Sequence, residues 1–471
     1  MNRTAAETAE HRGQSLPEVR GSIAIPGEKA GFWKNWRAFS GPAILVSVGY
    51  MDPGNWATDL SAGADFRYGL LWVVALSSLM AIILQICAAK LGVVMGKDLV
   101  RVSRENFPAW TRIPNWISAE LAIGACDLAE VLGSAVAIHL LSTTAHNAWP
   151  GFPQISILAG VIISAFDVML LLALQGLGFR KIESLIFVLV ATIAGCYGIE
   201  LFWFGHAQRE AVDIGTALLT PGFPKDAAGS RISAIFLAIG IIGATVMPHN
   251  LYLHSALVQT RKLQRDPPTV RRAIRYNAVD SIVALSLAFL VNAAIMVLAA
   301  STYYGKTGLT LADGVTPIGN DWIQGAFHTL KDLLGVSGAS ILFAVALLAS
   351  GQASTVTGTL AGQVVMEGFM SWTVRPWIRR MITRLLAIIP AILVIGLAGG
   401  DRVTTLINIS QFILGLQLPL AMIPLMYFTS RRRYMGHFVN GWVLSVSGWT
   451  TALLITTLDV YLLVQSLFGN G

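Results

Sequence analysis

Two short segments of this chain share a skeleton and carry side chains able to hold a cation. Asp52-Pro53-Gly54-Asn55 lies inside one apolar stretch, and Met247-Pro248-His249-Asn250 lies inside another. Both read x-Pro-x-Asn. A proline removes a backbone donor and disrupts the turn before it, so carbonyls such as those of Gly49 and Ala244 are released for other partners. With the Asp52 carboxylate, the Asn55 amide oxygen and the Met247 thioether they make one anionic oxygen, several neutral oxygens and one sulfur. That set suits a divalent cation. The sulfur points to a transition metal, because Ca²⁺ and Mg²⁺ take oxygen ligands. The plainer alternatives are two kinked helices, a gap-filling methionine and a structural ion pair for Asp52. The joint repeat of Pro and Asn weighs against them.

The elements that carry these segments belong in a bilayer. Hydrophobic residues make up 54% of the 471 and charged residues 13%, with mean hydropathy +0.63. A stretch of about 20 apolar residues crosses roughly 30 Å of hydrocarbon. Eleven such stretches are legible: 39–62, 70–95, 116–141, 154–177, 182–205, 232–259, 278–300, 337–366, a short ninth at 384–399, 404–428 and 440–467. Within lipid, backbone groups freed by a break are tolerated only where protein buries them or a cavity takes them up. Paired broken helices in two halves of a chain therefore point to a transporter's binding site. The cysteines, Cys87, Cys126 and Cys196, all fall within spans and form no CxxC, so neither a disulfide framework nor a zinc knuckle is indicated.

The basic residues alternate between loops. One side collects Lys97, Arg101, Arg104 and Arg112, then Arg180 and Lys181, then Arg261 to Arg275, Arg375 to Arg384 and Arg431 to Arg433. The other holds only Arg67, Arg209, Lys225, Arg231, Lys306, Lys331 and Arg402, with Lys90 inside a span. The net charge of +7 is thus a topology signal rather than a nucleic-acid footprint. The positive-inside rule predicts a multi-pass protein of the plasma (inner) membrane, N-terminus cytoplasmic and C-terminus outside. Residues 1–38 read as a mobile cytoplasmic tail. The two Pro-Asn motifs fall in spans 1 and 6, so the repeat unit is five spans. Five is odd, so the second copy enters the membrane from the opposite side. The expected fold is an all-α polytopic protein with inverted five-helix repeats, 39–205 and 232–428, plus an eleventh span at 440–467. This is a LeuT-like architecture. Its partners are the lipid bilayer and the transported ions; no obligate protein partner and no resident cofactor is implied. The loop at 301–336 is polar and Gly-rich, with room for a short helix.

In span 3, Glu120, Asp127 and Glu130 lie three and seven residues apart, which puts them on one helical face over roughly 15 Å. Acids in line inside a membrane are a poor packing stripe and a plausible proton relay; the alternative is pairing with buried arginines. His249 and His254, five apart, are rotated by about 140°, so one faces the permeation path and one the packing, or both are core histidines. Arg261 ends the route at the basic side, or serves as a charge anchor there. Asp59, seven residues after Asp52, is placed to collect cations in an outer vestibule.

Three stretches resemble the signatures of the Nramp divalent-metal transporters. They are Gly49-Tyr-Met-Asp-Pro-Gly-Asn-Trp-Ala-Thr-Asp59, Ala119-Glu-Leu-Ala-Ile-Gly-Ala-Cys-Asp-Leu-Ala-Glu130 and Gly243-Ala-Thr-Val-Met-Pro-His-Asn-Leu-Tyr-Leu-His-Ser255. The resemblance runs from about residue 36 to the end. It implies proton-coupled uptake of Mn²⁺ or Fe²⁺, with Cd²⁺, Co²⁺ and Zn²⁺ accepted less strictly. It also implies metal binding by Asp52, Asn55, the Ala244 carbonyl and Met247. Gln411 would join on occlusion, the Gly49 carbonyl on inward opening, and His249 would lie on the inward route.

The resulting expectation is a secondary transporter working by alternating access, not an enzyme. No Walker-type GxxxxGK[ST] loop is present to couple ATP. A sodium-coupled organic solute symporter of the same fold is the alternative, but Asp52 would repel a substrate carboxylate. An intramembrane hydrolase would need facing aspartates or HExxH, and neither motif occurs.

Overall fold

The computed structural model describes residues 15–17, 19–27, 30–164, 166, 179–203, 211–226, 229–305, 322–323, 338–372, 376–398 and 403–468. Proline and acidic caps set the register of the first helices. A short helix α1 (Phe32–Phe39) leads into α2 (Pro42–Ser47), which starts with Pro42 at its first turn and runs into a 3₁₀ turn, Val48–Met51. There the first span breaks. It resumes as α3 (Pro53–Phe66), with Asp52 as N-cap and Pro53 in the first turn, where its missing N–H costs nothing. Helix α4 (Leu71–Met95) ends on left-handed Gly96. Asp98 caps the short α5 (Leu99–Asn106), and α6 (Arg112–Ala148) follows.

Helix α7 (Phe179–Trp203) and a short α8 (Ala211–Leu219) complete the first half. The sixth span repeats the break: α9 (Ile232–Val246) stops at Met247, and α10 (Pro248–Leu257) restarts on Pro248. Then come α11 (Pro267–Tyr303), capped by Asp266, α12 (Ala339–Met370), α13 (Pro376–Ala398), α14 (Val403–Thr429) and α15 (Trp442–Phe468). Among the described residues seven helices are long and apolar enough to cross a membrane. The three cysteines are buried.

The structure corrects several boundaries. Helix α11 begins at Pro267 rather than 278, so Arg271, Arg272 and Arg275 stand on its first turns and not in a loop. Helix α13 begins at Pro376, eight residues before the expected 384, and is not short. Charged first turns mask helix starts in a hydropathy reading, because the helix continues past the hydrocarbon into the polar boundary. Half of the fourth span, residues 165 and 167–177, and most of the 301–336 loop lie outside the described residues.

Residues 15–17 and 19–27, expected to be part of a mobile tail, are docked. The Gly21 and Ile23 amides donate to the Gln259 and Thr260 carbonyls, each at 3.0 Å, and the Lys262 amide donates to the Ile23 carbonyl at 2.8 Å. Ile23 and Arg261 thus form a parallel bridge. Buried Leu16 donates its amide to Glu367 Oε2 (2.9 Å), and Arg20 Nη2 donates to the Gly96 carbonyl at the end of α4 (2.8 Å). This pairing is mostly main-chain and leaves little side-chain signature to read.

Candidate metal site

The two breaks face each other in the core. Asp52 is fully buried, and its Oδ1 accepts from the Asn55 amide nitrogen (2.9 Å) and from Asn55 Nδ2 (2.7 Å). Its Oδ2 accepts no hydrogen bond among the described residues. Asn55 Nδ2 also donates to the Ala244 carbonyl at 3.1 Å and the Gly49 carbonyl at 3.3 Å. Three oxygens, from Asp52, Gly49 and Ala244, therefore converge on one point from both breaks. A point ringed by acceptors is what a cation requires. The Asn55 Oδ1 accepts from Thr245 Oγ1 (3.3 Å) and Asn292 Nδ2 (3.2 Å). Amide orientation follows the hydrogen-bond network. Turned over, the amide sends Oδ1 to the converging oxygens and its NH₂ to the Thr245 hydroxyl, which accepts as well as donates, while Asn292 Nδ2, a donor only, must give up its contact with Asn55.

Met247 is buried, with φ 35° and ψ 105°, a left-handed backbone rare for a residue with a side chain. Its sulfur accepts from Asn250 Nδ2 at 3.5 Å. It lies beside Gly49, where an added Cβ would come within 3.2 Å of it. Gln411 is buried on α14, and its amide lies so close to Gly54 that any side chain there would strike it. Gln411 Oε1 accepts no hydrogen bond among the described residues. All six residues read as ligands are thus within one buried cluster. Other freed carbonyls have partners: Asn292 Nδ2 donates to Tyr50 (2.9 Å), while Ser350 Oγ (2.5 Å) and Trp56 Nε1 (3.0 Å) donate to Met51. Among the described residues no three His, Cys, Asp or Glu side chains form a metal cluster. The candidate site thus offers a mixed set of donors with one carboxylate.

Helix α6 packs on α3 with Gly133 against Pro53, which brings the span 3 acids beside the first break. Asp127 and Glu130 are fully buried. Glu130 Oε1 accepts from Ser354 Oγ (2.7 Å) and Oε2 from Thr355 Oγ1 (3.0 Å). Glu120 departs from the expected row. It is only half-buried, with Trp116 Nε1 donating to its Oε1 at 3.2 Å. Both histidines are buried; His254 Nδ1 meets Gln85 Oε1 at 2.8 Å, and Gln85 Nε2 in turn donates to Tyr50 Oη at 2.7 Å. His249 Nδ1 has no hydrogen-bond partner among the described residues.

The two ends of the site differ. At the basic end Arg261 is buried, not an exposed anchor. Its Nη1 donates to Glu183 Oε1 (2.9 Å) and Thr260 Oγ1 (2.8 Å), its Nε to the Ala38 carbonyl (3.2 Å), and its Nη2 to the Ser40 carbonyl. Asp280 Oδ2 accepts the Gly41 and Ala43 amides at 3.2 and 3.0 Å, holding the start of α2. Gly41 has φ 126°, and a Cβ there would strike the Glu183 carboxylate. At the opposite end a cavity of about 540 Å³ is lined by Ser61, Asp65, Ile232, Phe236 and Asn408. Asp59, expected at an outer vestibule, is instead buried. Asp65, on the next turns of α3, is the acid that lines the cavity. Sequence reasoning missed Glu183, Asp280 and Asp65. All three are acids within or at the edge of apolar helices, the signal that found Asp52.

A buried cluster of converging acceptor oxygens between two discontinuous helices of a polytopic helical protein is the arrangement expected of a membrane transporter. The family model described as Nramp, natural resistance-associated macrophage protein-like, matches residues 43–465. The chain is 48% identical over 458 residues to a divalent metal cation transporter MntH of Nostoc sp., covering 97% of each chain. It is similar to the solved structure of the Eremococcus coleocola manganese transporter, with a TM-score of 0.82 at 37% identity, covering 95% of this chain and 90% of that one. It also shares its fold with Mhp1, a nucleobase-cation-symport-1 family transporter, at TM-score 0.54 and 15% identity, covering 91% and 93% of the two chains. This protein belongs to the Nramp family and is a multi-pass divalent metal cation transporter, not an enzyme.

Proposed function

We propose that this protein imports Mn²⁺, and with it Fe²⁺, Cd²⁺ and Co²⁺, by alternating access, coupled to proton entry across the plasma membrane. The N-terminus is cytoplasmic and the C-terminus outside. The observation that carries this reading is the convergence of Asp52 Oδ1 and the Gly49 and Ala244 carbonyls on the Asn55 amide, with the Met247 sulfur alongside. Asp52 supplies the single charge, Met247 the soft ligand, and Gln411 closes over the site beside Gly54. Metal reaches it through the cavity lined by Asp65 and Asn408. Release toward the basic side requires the Arg261 contacts with Glu183, Ala38 and Ser40 to part. A proton leaves Asp52 for Glu130 and Asp127 on α6, a route separate from the metal's.

The test is Mn²⁺ and H⁺ entry measured together in sealed vesicles holding the purified protein. An inward proton gradient is expected to accelerate Mn²⁺ uptake, with H⁺ entering alongside. Mn²⁺ uptake indifferent to the gradient, with no proton movement, overturns the coupling. Sodium-driven uptake of an organic solute without metal uptake would favour the solute symporter.

A further inference from the structure

We propose that the groove between α1 and the first turns of α11 binds the headgroup of an anionic phospholipid. The groove encloses about 500 Å³ and is lined by Asn35, Arg271, Arg272, Arg275 and Tyr276, with no acid in its lining. The neighbouring Asp266 caps α11, its Oδ2 accepting the Thr269 amide at 2.9 Å; its Oδ1 accepts nothing among the described residues, and its charge partly offsets that of Arg272.

Two features of the groove point to a ligand rather than to a solvated basic face. Arg272 Nε and Nη1 are buried and donate no hydrogen bond among the described residues, while its guanidinium sits 6.0 Å over the Phe39 ring. Asn35 is only 2% exposed. Its Nδ2 is committed to the Ala30 carbonyl at 2.7 Å, and its Oδ1 accepts nothing among the described residues. Buried polar atoms normally find partners. A phosphodiester offers two anionic oxygens to the planar fork of a guanidinium, the geometry in which Arg binds phosphate best. A hydroxylated headgroup also brings donors, which Asn35 Oδ1 can accept.

The surroundings select a lipid over free phosphate. Helix α1 leads through Ser40 and Gly41 directly into the first span, so it lies at the membrane surface. Trp33 is 73% exposed and Phe32 46%, the interfacial position that aromatic side chains favour. Phe32 also contacts Tyr276 of the groove, ring centroids 5.6 Å apart. On the other flank of α1 a crevice of about 690 Å³ is lined by Trp33, Trp36, Phe187 and Val188, together with Arg37 and Glu183. An acyl chain suits that crevice; a free anion has no use for it.

The inference is independent of the proton-coupling reading, and its test needs no transport. Native mass spectrometry of the full chain would be run with phosphatidylglycerol or phosphatidylcholine of matched acyl chains. The parent is expected to retain phosphatidylglycerol at concentrations where it sheds phosphatidylcholine. The triple variant Arg271→Gln/Arg272→Gln/Arg275→Gln should weaken that retention about tenfold. The same charge removal at Arg431, Arg432 and Arg433 should leave it unchanged. Arg272→Lys keeps the charge, is the gentler change for folding, and should still weaken retention because the fork is lost. Equal retention of both lipids by the parent, or equal loss in both triple variants, overturns the site. Full displacement of phosphatidylglycerol by inorganic phosphate at equal concentration overturns the lipid assignment in favour of a phosphate site.

Discussion

At the first break Asp52 stands in extended backbone, φ −72° and ψ 167°, and caps the helix that follows it; at the second, Met247 is held at φ 35° with no capping side chain. The two segments share Pro and Asn, yet one is an ordinary capped helix start and the other is strained. The capped break brings the charge and satisfies half of it locally, through Asn55. The strained break brings the sulfur, a conformation costing of order 1–3 kcal/mol that surrounding packing must maintain. Both breaks also end a helical segment at the site, and the carbonyls released there present the negative end of a helix dipole to a cation. On the proposed reading, capture and selectivity are divided between the two halves of the chain.

The largest effect is expected from removing the charge. Asp52→Asn keeps the shape of the cap and should reduce Mn²⁺ uptake at least about a hundredfold, or ~2.8 kcal/mol at 1.4 per decade. Membrane insertion should be normal, as checked by size-exclusion profile and vesicle incorporation. Parent-like uptake would remove the first break from the site.

Glu130→Gln should come next. Glu130 is held by two hydroxyls that can rotate to accept from an amide, so the fold should survive. Proton entry per Mn²⁺ should fall while Mn²⁺ binding, read by calorimetry, changes little. Unaltered proton entry across the pH range would dismiss the α6 acids as a relay.

A smaller shift, in selectivity rather than rate, is expected at the second break. Met247→Ala leaves the oxygens in place and should still move Mn²⁺. Its Cd²⁺-over-Ca²⁺ discrimination, measured by competition against Mn²⁺ uptake, should drop about tenfold, or ~1.4 kcal/mol. An unchanged ratio would return Met247 to packing.

The smallest effect separates sulfur from backbone. Met247→Gly loses the same sulfur but accepts positive φ freely. It should match Met247→Ala in selectivity and exceed it in stability by about 1 kcal/mol. At Asp52, where φ is already negative, Gly should offer no such gain over Ala. Thermal unfolding of the four variants in one detergent compares them; equal stability of the two Met247 variants would mean the break is not strained.

Much of this was legible because its causes are local. Proline at 53 and 248 dictates both breaks, and the side chains beside them name the candidate ligands, so the first and sixth spans were readable as discontinuous. Asp127 and Glu130 were readable as one helical face from their spacing, and both are buried. What the sequence hid depends on distant partners. Arg261 is written as one more basic residue after a span; only the fold brings Glu183, Ala38 and Ser40 to it. Asp59 and Asp65 both sit on α3, and nothing local tells which one faces the cavity. The docking of residues 15–17 and 19–27 rests mainly on backbone pairing, to which side-chain patterns are blind. The starts of α11 and α13 were misread because arginines on their first turns look like loop residues to a hydropathy window.

The claim that both breaks hold one metal is tested most directly by anomalous diffraction from crystals soaked in Mn²⁺. The account predicts a single strong anomalous peak in contact with an Asp52 carboxylate oxygen and the Met247 sulfur together, with the Ala244 carbonyl in its shell. A peak bound at Asp52 alone, or one near Asp65 with none between the breaks, would contradict it.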